Sequence, residues 1–267
     1  MTGLTITIGL YELNFTDWAN TMFEYQAQDN LLADRVVLVT GAGDGIGKAA
    51  ALSFARYGAT VILLGRTTKK LEAVYDEIEQ NGYPQPAIYP MNLEGASPKD
   101  YDDLAQRIDE EFGQLDGLLH NAGSLGTLTP ISQYNIDTWH QVMQVNVNAA
   151  FMMTQALLPL LRKSNDASVI FTSSSVGRKG RAHWGAYAVS KFATEGLMQV
   201  LADEEEDISH IRFNSVNPGA TRTAMRAKAY PAEDQSKLAS PEDILNVYLY
   251  LMGPDSKTVN GQAFNAQ

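Results

Sequence analysis

The chain has 267 residues, 45% of them apolar, and a formal net charge of −11. That length suits one large α/β domain or two small ones, and the acidity argues against nucleic acid, whose binding needs a basic face. With no cysteine there is no disulfide framework, thiol nucleophile or thiolate metal site, which agrees with a cytoplasmic protein.

The four histidines, His120, His140, His183 and His210, are scattered without metal-ligand spacing, so no metal site is expected. No apolar run approaches the ~18 residues of a membrane helix, so no membrane partner is expected. Nothing is positively charged before Arg35, unlike a signal or transit peptide. Residues 1–30 read as an N-terminal extension and 31–267 as the folded domain. Met22 offers an alternative start, and removing residues 1–21 is expected to leave stability and activity unchanged.

Residues 35–40 (RVVLVT) form a β-branched run that reads as a buried strand. It runs into Gly41, Ala42, Gly43, Asp44, Gly45, Ile46 and Gly47, then a helical pattern over 48–57. Strand, glycine turn and helix is the context in which backbone N–H groups and the positive helix end meet a pyrophosphate. Residues 60–64 form the second strand. An acidic residue there would bind a ribose 2′-hydroxyl, but the chain has Gly65 and Arg66. A 2′-phosphate would meet a cation there, so NADP is expected rather than NAD; the bland alternative is a solvated arginine.

A helix is expected over 69–80, a strand over 87–91 ending in Asn92 and Leu93, and a helix over 98–112 opened by Pro98. The fourth strand, 115–120, ends in Asn121, Ala122 and Gly123, small residues that let a dinucleotide pass close to the backbone. One long helix over 137–162 carries Asn146, an amide that lowers helix propensity.

The strand at 169–171 ends in three serines, and a helix over 185–206 carries Tyr187 and Lys191 one turn apart on one face. Ser174 precedes Tyr187 where strand gives way to loop. A free tyrosine titrates near ~10, and a cation one turn away favours the phenolate. The serine hydroxyl can polarise a carbonyl oxygen while the phenol exchanges its proton. Residues 203–207 (DEEED) read as a solvated surface. A sixth strand, 211–216, breaks at Asn217, Pro218 and Gly219, followed by Thr221, Arg222 and Thr223. Ser240 and Pro241 are expected to cap a last helix to about residue 252, before a short strand at 262–265. Alternating strands and helices of this length imply a parallel sheet covered on both faces.

With these motifs assembled, the chain resembles the short-chain dehydrogenase/reductase family from about residue 33 onward. The matching pieces are TGAGDGIG (40–47), NAG (121–123), Asn146, Ser174, YAVSK (187–191) and NPGATRT (217–223). Residues 144–161 and 171–204 are worded like its YciK-type branch. The resemblance implies an α/β fold, a Rossmann-like doubly wound parallel sheet of about seven strands in a single domain. It implies NADP (NADPH) as cofactor, a small carbonyl or alcohol substrate, and a homodimer or homotetramer built on the long helix and the catalytic helix. It also implies a tetrad. Tyr187 would be the acid/base, Lys191 would bind the nicotinamide ribose and lower the tyrosine pKa, Ser174 would orient the substrate oxygen, and Asn146 would hold a relay water. Pro218, Gly219 and Thr223 would receive the nicotinamide carboxamide, with Thr221 beside them.

Three departures from the family pattern stand out. Asn92 replaces a frequent aspartate, the lid segment 227–239 is short, and the chain ends in Asn265, Ala266 and Gln267 where aspartate–glycine is usual, as a truncated end would. The rival reading is a catalytically silent dinucleotide sensor or scaffold, which has no need of all four tetrad groups. Arg178, Lys179, Arg181, Arg222 and Arg226 flank the site segments and raise the expectation of an anionic substrate; paired basic loops are the alternative.

Overall fold

The computed structural model describes residues 22–267. Seven short apolar runs form one all-parallel sheet. They are β1 (Val36–Thr40), β2 (Thr60–Gly65), β3 (Ala87–Pro90), β4 (Gly117–His120), β5 (Ala167–Thr172), β6 (Ile211–Asn217) and β7 (Ala263–Asn265). Their order is β3-β2-β1-β4-β5-β6-β7. Such a sheet needs cover on both faces, which is why its strands are apolar throughout rather than alternating.

Helices supply that cover. Those in chain order are α1 (Gly45–Arg56), α2 (Thr68–Gln80), α3 (Pro98–Phe112), α4 (Ile136–Met143), α5 (Ala149–Leu161), α6 (Gly185–Glu205), α7 (Ala224–Ala229) and α8 (Asn246–Met252). Strand β1 shows the layering. Val37 and Val39 face a core made with Phe54 of α1, Val74 of α2 and Tyr248 of α8. Leu38 faces the other side, among Leu104 of α3, Met153 of α5 and Met198 of α6. The chain is a Rossmann-like doubly wound domain. Its strand order reverses between β1 and β4, and the crevice beyond the strand ends at that point is where such sheets bind ligands.

Two helices differ from the sequence-based expectation. The helix expected over 137–162 is interrupted by a π turn, Gln144–Asn148, between α4 and α5. Periodicity cannot reveal one extra residue in a turn. Ser240 and Pro241 open a 3-10 turn, Glu242–Ile244, before α8 begins. The Asp243 carboxylate accepts from the Ser240 N–H at 2.7 Å, so the capping chemistry is present at a tighter turn.

At the far end of the sheet Asp166 binds Arg35 at 2.9 Å and the buried Arg212 at 2.7 Å. That network ties β1, β5 and β6 together away from the crevice. Residues 22–30, read above as part of an extension, lie on the body. Phe23 N donates to Ala266 O at 3.1 Å, and its ring lies 5.4 Å from Tyr250 and 5.9 Å from Phe264. The expectation about removing residues 1–21 falls outside the described residues.

Candidate active site

The crevice begins at the glycine turn after β1. Gly47 lies so close to Gly41 that a Cβ there would fall 2.3 Å from the Gly41 carbonyl oxygen. Asp44 caps α1, its carboxylate accepting from Gly45 N at 2.8 Å. It also pairs with Lys70, and that hydrogen bond holds its carboxyl below the usual carboxylate range. Thr40 holds the facing turn: its hydroxyl accepts from Asn121 N at 2.9 Å and from Ala122 N at 3.0 Å.

Gly41, Gly43, Asp44, Arg66, Asn92 and Leu93 line one half of the crevice with Ala122 and Gly123. The Arg66 side chain is exposed and makes no ion pair or hydrogen bond among the described residues. Gly45, Ile46, Asn121, Pro218, Gly219, Thr221 and Thr223 line the other half, which also holds Ser174, Tyr187 and Lys191. These residues fit a dinucleotide: a glycine-rich turn at a helix start, an uncommitted cation at the end of β2, and a polar loop after β6.

Helix α6 brings Tyr187 and Lys191 to the end of β5. Both are buried, at 8% and 5% exposure. The Lys191 Nζ donates to the Thr172 carbonyl oxygen at 2.6 Å and lies 5.7 Å from the centre of the Tyr187 ring. Gly177 makes this approach possible, since a Cβ there would fall 2.7 Å from the Lys191 Cβ. Asn146, on the π turn, accepts from Ser124 N at 2.7 Å. Both of its amide protons are taken, by Ser124 O and Ser190 Oγ at 2.9 Å each. Ser190 in turn donates to Tyr187 O at 2.8 Å. Beside Asn146 and Lys191, and bounded by His120, is a cavity of about 10 Å³, the size of one water.

Burial sets the electrostatics. It pushes the Tyr187 phenol up to about 12, and the neighbouring Ser174 hydroxyl opposes this only partly. Lys191 is pulled down to about 8 by burial, with Glu195 one turn on working against the fall. The sequence-based picture of a lysine that lowers the tyrosine pKa is not the state of this chain by itself: burial raises the Tyr187 pKa, and the phenol rests protonated. His120 is held neutral, down to about 3, by burial and by the Lys191 charge.

Four of the five flanking cations are engaged or line another crevice, and Lys179 is exposed without a partner among the described residues. Arg178 binds Glu195 at 3.0 Å, Asn265 at 2.8 Å and Phe264 O at 2.9 Å. Arg226 is bidentate to Glu233, at 2.6 Å twice. Arg181 donates to the Tyr230 hydroxyl at 2.7 Å. Arg222 faces a separate crevice beside Lys48.

Several site residues carry no motif of their own. Thr172 contributes only a carbonyl, Ser190 sits inside YAVSK as a spacer, and Glu195 is held by Arg178 and by Ser215 at 2.6 Å. Spacing supplies one signal, since Glu195 follows Lys191 by a helical turn. Leu125, Trp184 and Met225 line the cleft beside Tyr187, and only the fold brings them together. Among the described residues no His, Asp and Glu cluster is arranged to hold a metal, and no helix is long and apolar enough to cross a membrane.

The short chain dehydrogenase family model matches residues 35–234. The oxidoreductase YciK of Escherichia coli strain K12 is 57% identical over 243 residues, covering 91% of this chain and 96% of that one. A short chain dehydrogenase structure from Pseudomonas syringae superposes with a TM-score of 0.91 at 61% identity, over 92% of this chain and all of that one. One from E. coli CFT073, in complex with NADPH, gives 0.88 at 57% identity, over 90% and 99%.

The buried lysine makes a stability prediction. Below pH 8 Lys191 is charged in the folded and unfolded chain alike, and the cost of burying that charge is present in full. As pH rises from 8 toward ~10.5 the folded lysine is neutral while the unfolded one keeps its proton, so the cost is relieved. Lys191→Met should remove roughly 3 kcal/mol of that cost, less about 1–2 kcal/mol for the lost bond to Thr172. Cofactor-free Lys191→Met is thus expected to melt above the parent at pH 7, with the gap closing by pH 10.5. A variant melting below the parent at pH 7 contradicts this.

Proposed function

The chain belongs to the short chain dehydrogenase family, and on that footing we propose that it is an NADP-dependent oxidoreductase interconverting a carbonyl compound and its alcohol, with Tyr187 as acid/base. One observation carries the reading: Ser174, Tyr187 and Lys191, from two elements, meet in the cleft that the glycine turn opens. Bound NADPH would supply the hydride. The protein's part is to bind, orient and move a proton.

In the reducing direction Ser174 donates a hydrogen bond to the substrate oxygen, and Tyr187 gives that oxygen its proton as the carbon is reduced. A phenol held protonated, and so neutral, by burial has the proton this step requires. Its anion then forms 5.7 Å from an ammonium, measured to the ring centre, which stabilises it until a proton returns. The one-water cavity bounded by His120, Asn146 and Lys191 offers a route for that return. Asn146 serves as a positioning residue, because its amide protons are committed to Ser124 and Ser190. The unpaired Arg66 would bind the 2′-phosphate, and the loop from Pro218 to Thr223 would receive the nicotinamide. The NADPH-bound structure from E. coli CFT073 supports this choice of cofactor.

A homo-oligomer is part of the proposal. Phe151 on α5 and Val189, Phe192 and Val200 on α6 are large apolar side chains with 43–53% exposure. On α6 they recur at helical spacing along one stripe, the pattern of a face that packs against a second helix pair.

Tyr187→Phe should fold and bind NADP, while NADPH oxidation with aldehydes and ketones falls by at least ~10²-fold; wild-type rates in the variant rule out this mechanism. NADP(H) should bind more tightly than NAD(H), and Arg66→Ala should weaken NADP(H) selectively by about ten- to a hundredfold. Equal dissociation constants for the two cofactors in the parent reject the 2′-phosphate assignment. Light scattering on the purified protein should give a dimer or tetramer mass, and a monomer mass at micromolar concentration would remove the oligomer.

A further inference from the structure

We propose that the substrate side of the cleft takes an uncharged, largely apolar carbonyl compound with a flat or ring-shaped body, and discriminates against carboxylates. This rests on the reading of Tyr187 as the proton donor, because it concerns what lies against that phenol.

The wall beside Tyr187 is a small hydrophobic cluster of its own, separate from the two cores of the sheet. Leu125 and Ala188 are buried in it, and Leu128, Trp184, Met225 and Ala229 pack against it half-exposed. Of these, Leu125, Trp184, Met225 and Ala229 line the same 430 Å³ cleft as Ser174 and Tyr187. Polar anchoring on this side comes from the two hydroxyls, and they serve one oxygen. Apart from the neutral Trp184 indole N–H, the wall side chains Leu125, Met225 and Ala229 offer a second oxygen no partner.

The nearest cations do not supply one. Arg226 donates from its Nε and Nη2 to both carboxylate oxygens of Glu233, which balances its charge, and its guanidinium carbon lies 3.9 Å from the centre of the Tyr230 ring. Arg181 spends a donor on the Tyr230 hydroxyl. A substrate carboxylate would have to share Arg226 with the carboxylate of Glu233 or enter without compensation, and an unpaired charge moved off water into an apolar wall is strongly disfavoured. Long-range attraction does not help either, in a chain of net charge −11.

Shape follows from the aromatic edge. Trp184 lies 5.7 Å from Tyr187 and 5.9 Å from Tyr230, centre to centre. Trp184 thus gives the cleft an aromatic side, tilted 53° to the Tyr187 ring, with aliphatic Leu125 and Met225 in the same lining. A ring carrying its carbonyl at one end fills that slot with the oxygen at the hydroxyls, whereas a long polar chain leaves the wall without complement.

The test measures binding rather than turnover. The probes are para-methylbenzaldehyde and para-carboxybenzaldehyde, matched in shape and differing in charge. Each is titrated calorimetrically into the Tyr187→Phe variant saturated with NADP, at low and high salt. The methyl compound should bind at least ~10-fold more tightly, with little change across salt. Binding of the carboxylate as tightly or more tightly, or no measurable binding of the neutral probe, overturns the proposal. Met225→Lys places an unpaired cation in the wall and should narrow or reverse the ranking. An unchanged ranking in a Met225→Lys protein that melts cooperatively also counts against it. Failure of the reductase reading is separate: a neutral probe that binds but is never reduced by the wild-type protein with NADPH removes the activity and leaves the binding preference standing.

Discussion

A lysine ammonium held inside the protein at the end of a β-strand is the constraint on which the cleft depends. Lys191 reaches the Thr172 carbonyl at 2.6 Å, which pins α6 to the last residue of β5. The approach requires a bare backbone at Gly177. It also requires a countercharge, and Glu195 supplies it one turn further along α6, held by Arg178 and Ser215. Arg178 extends the chain of contacts to Asn265 and Phe264 on β7. One buried charge thus organises β5, β6, β7 and α6 around Tyr187, and the position of the phenol is a consequence of it.

The same burial divides the cleft into two chemical halves. On the side proposed to hold the cofactor the lining is polar, with the glycine turn, the Asp44–Lys70 pair and the uncommitted Arg66. On the side proposed to take the substrate the wall is mostly apolar, and Arg226, the cation that lines it, is paired with Glu233. Tyr187 stands at the boundary, protonated at rest because desolvation outweighs its polar neighbours. A group in that state is a proton donor first, and it becomes a stabilised anion only with Lys191 beside it.

Much of this was legible in the sequence. The glycine turn, YAVSK and the serine before it are local patterns, so spacing brought out the strands and the convergence of Ser174, Tyr187 and Lys191, while Asn146 entered as a tetrad member only through the family resemblance. Contributions without a side-chain signature were not legible. Thr172 acts through its carbonyl, Gly177 through the absence of a Cβ, and the π turn at Asn146 is one extra residue in an otherwise regular helical pattern. The five cations show the opposite limit. Read along the chain they gather near the site, but three of them have partners, Glu195 and Asn265 for Arg178, Glu233 for Arg226 and Tyr230 for Arg181, that only the fold brings close. The placement of residues 22–30 has the same cause, since Phe23 meets its aromatic partners more than two hundred residues away in sequence.

The central claim is that this cleft passes a hydride between a nicotinamide and a carbonyl carbon beside Tyr187. The most direct measurement supplies NADPH carrying deuterium at the transferable position of the nicotinamide, with a neutral aromatic aldehyde, and locates the label in the alcohol by mass spectrometry and NMR. The account predicts one deuterium on the carbinol carbon, on one face only, in the wild-type protein. Label found in solvent, or alcohol formed without it, would contradict the account.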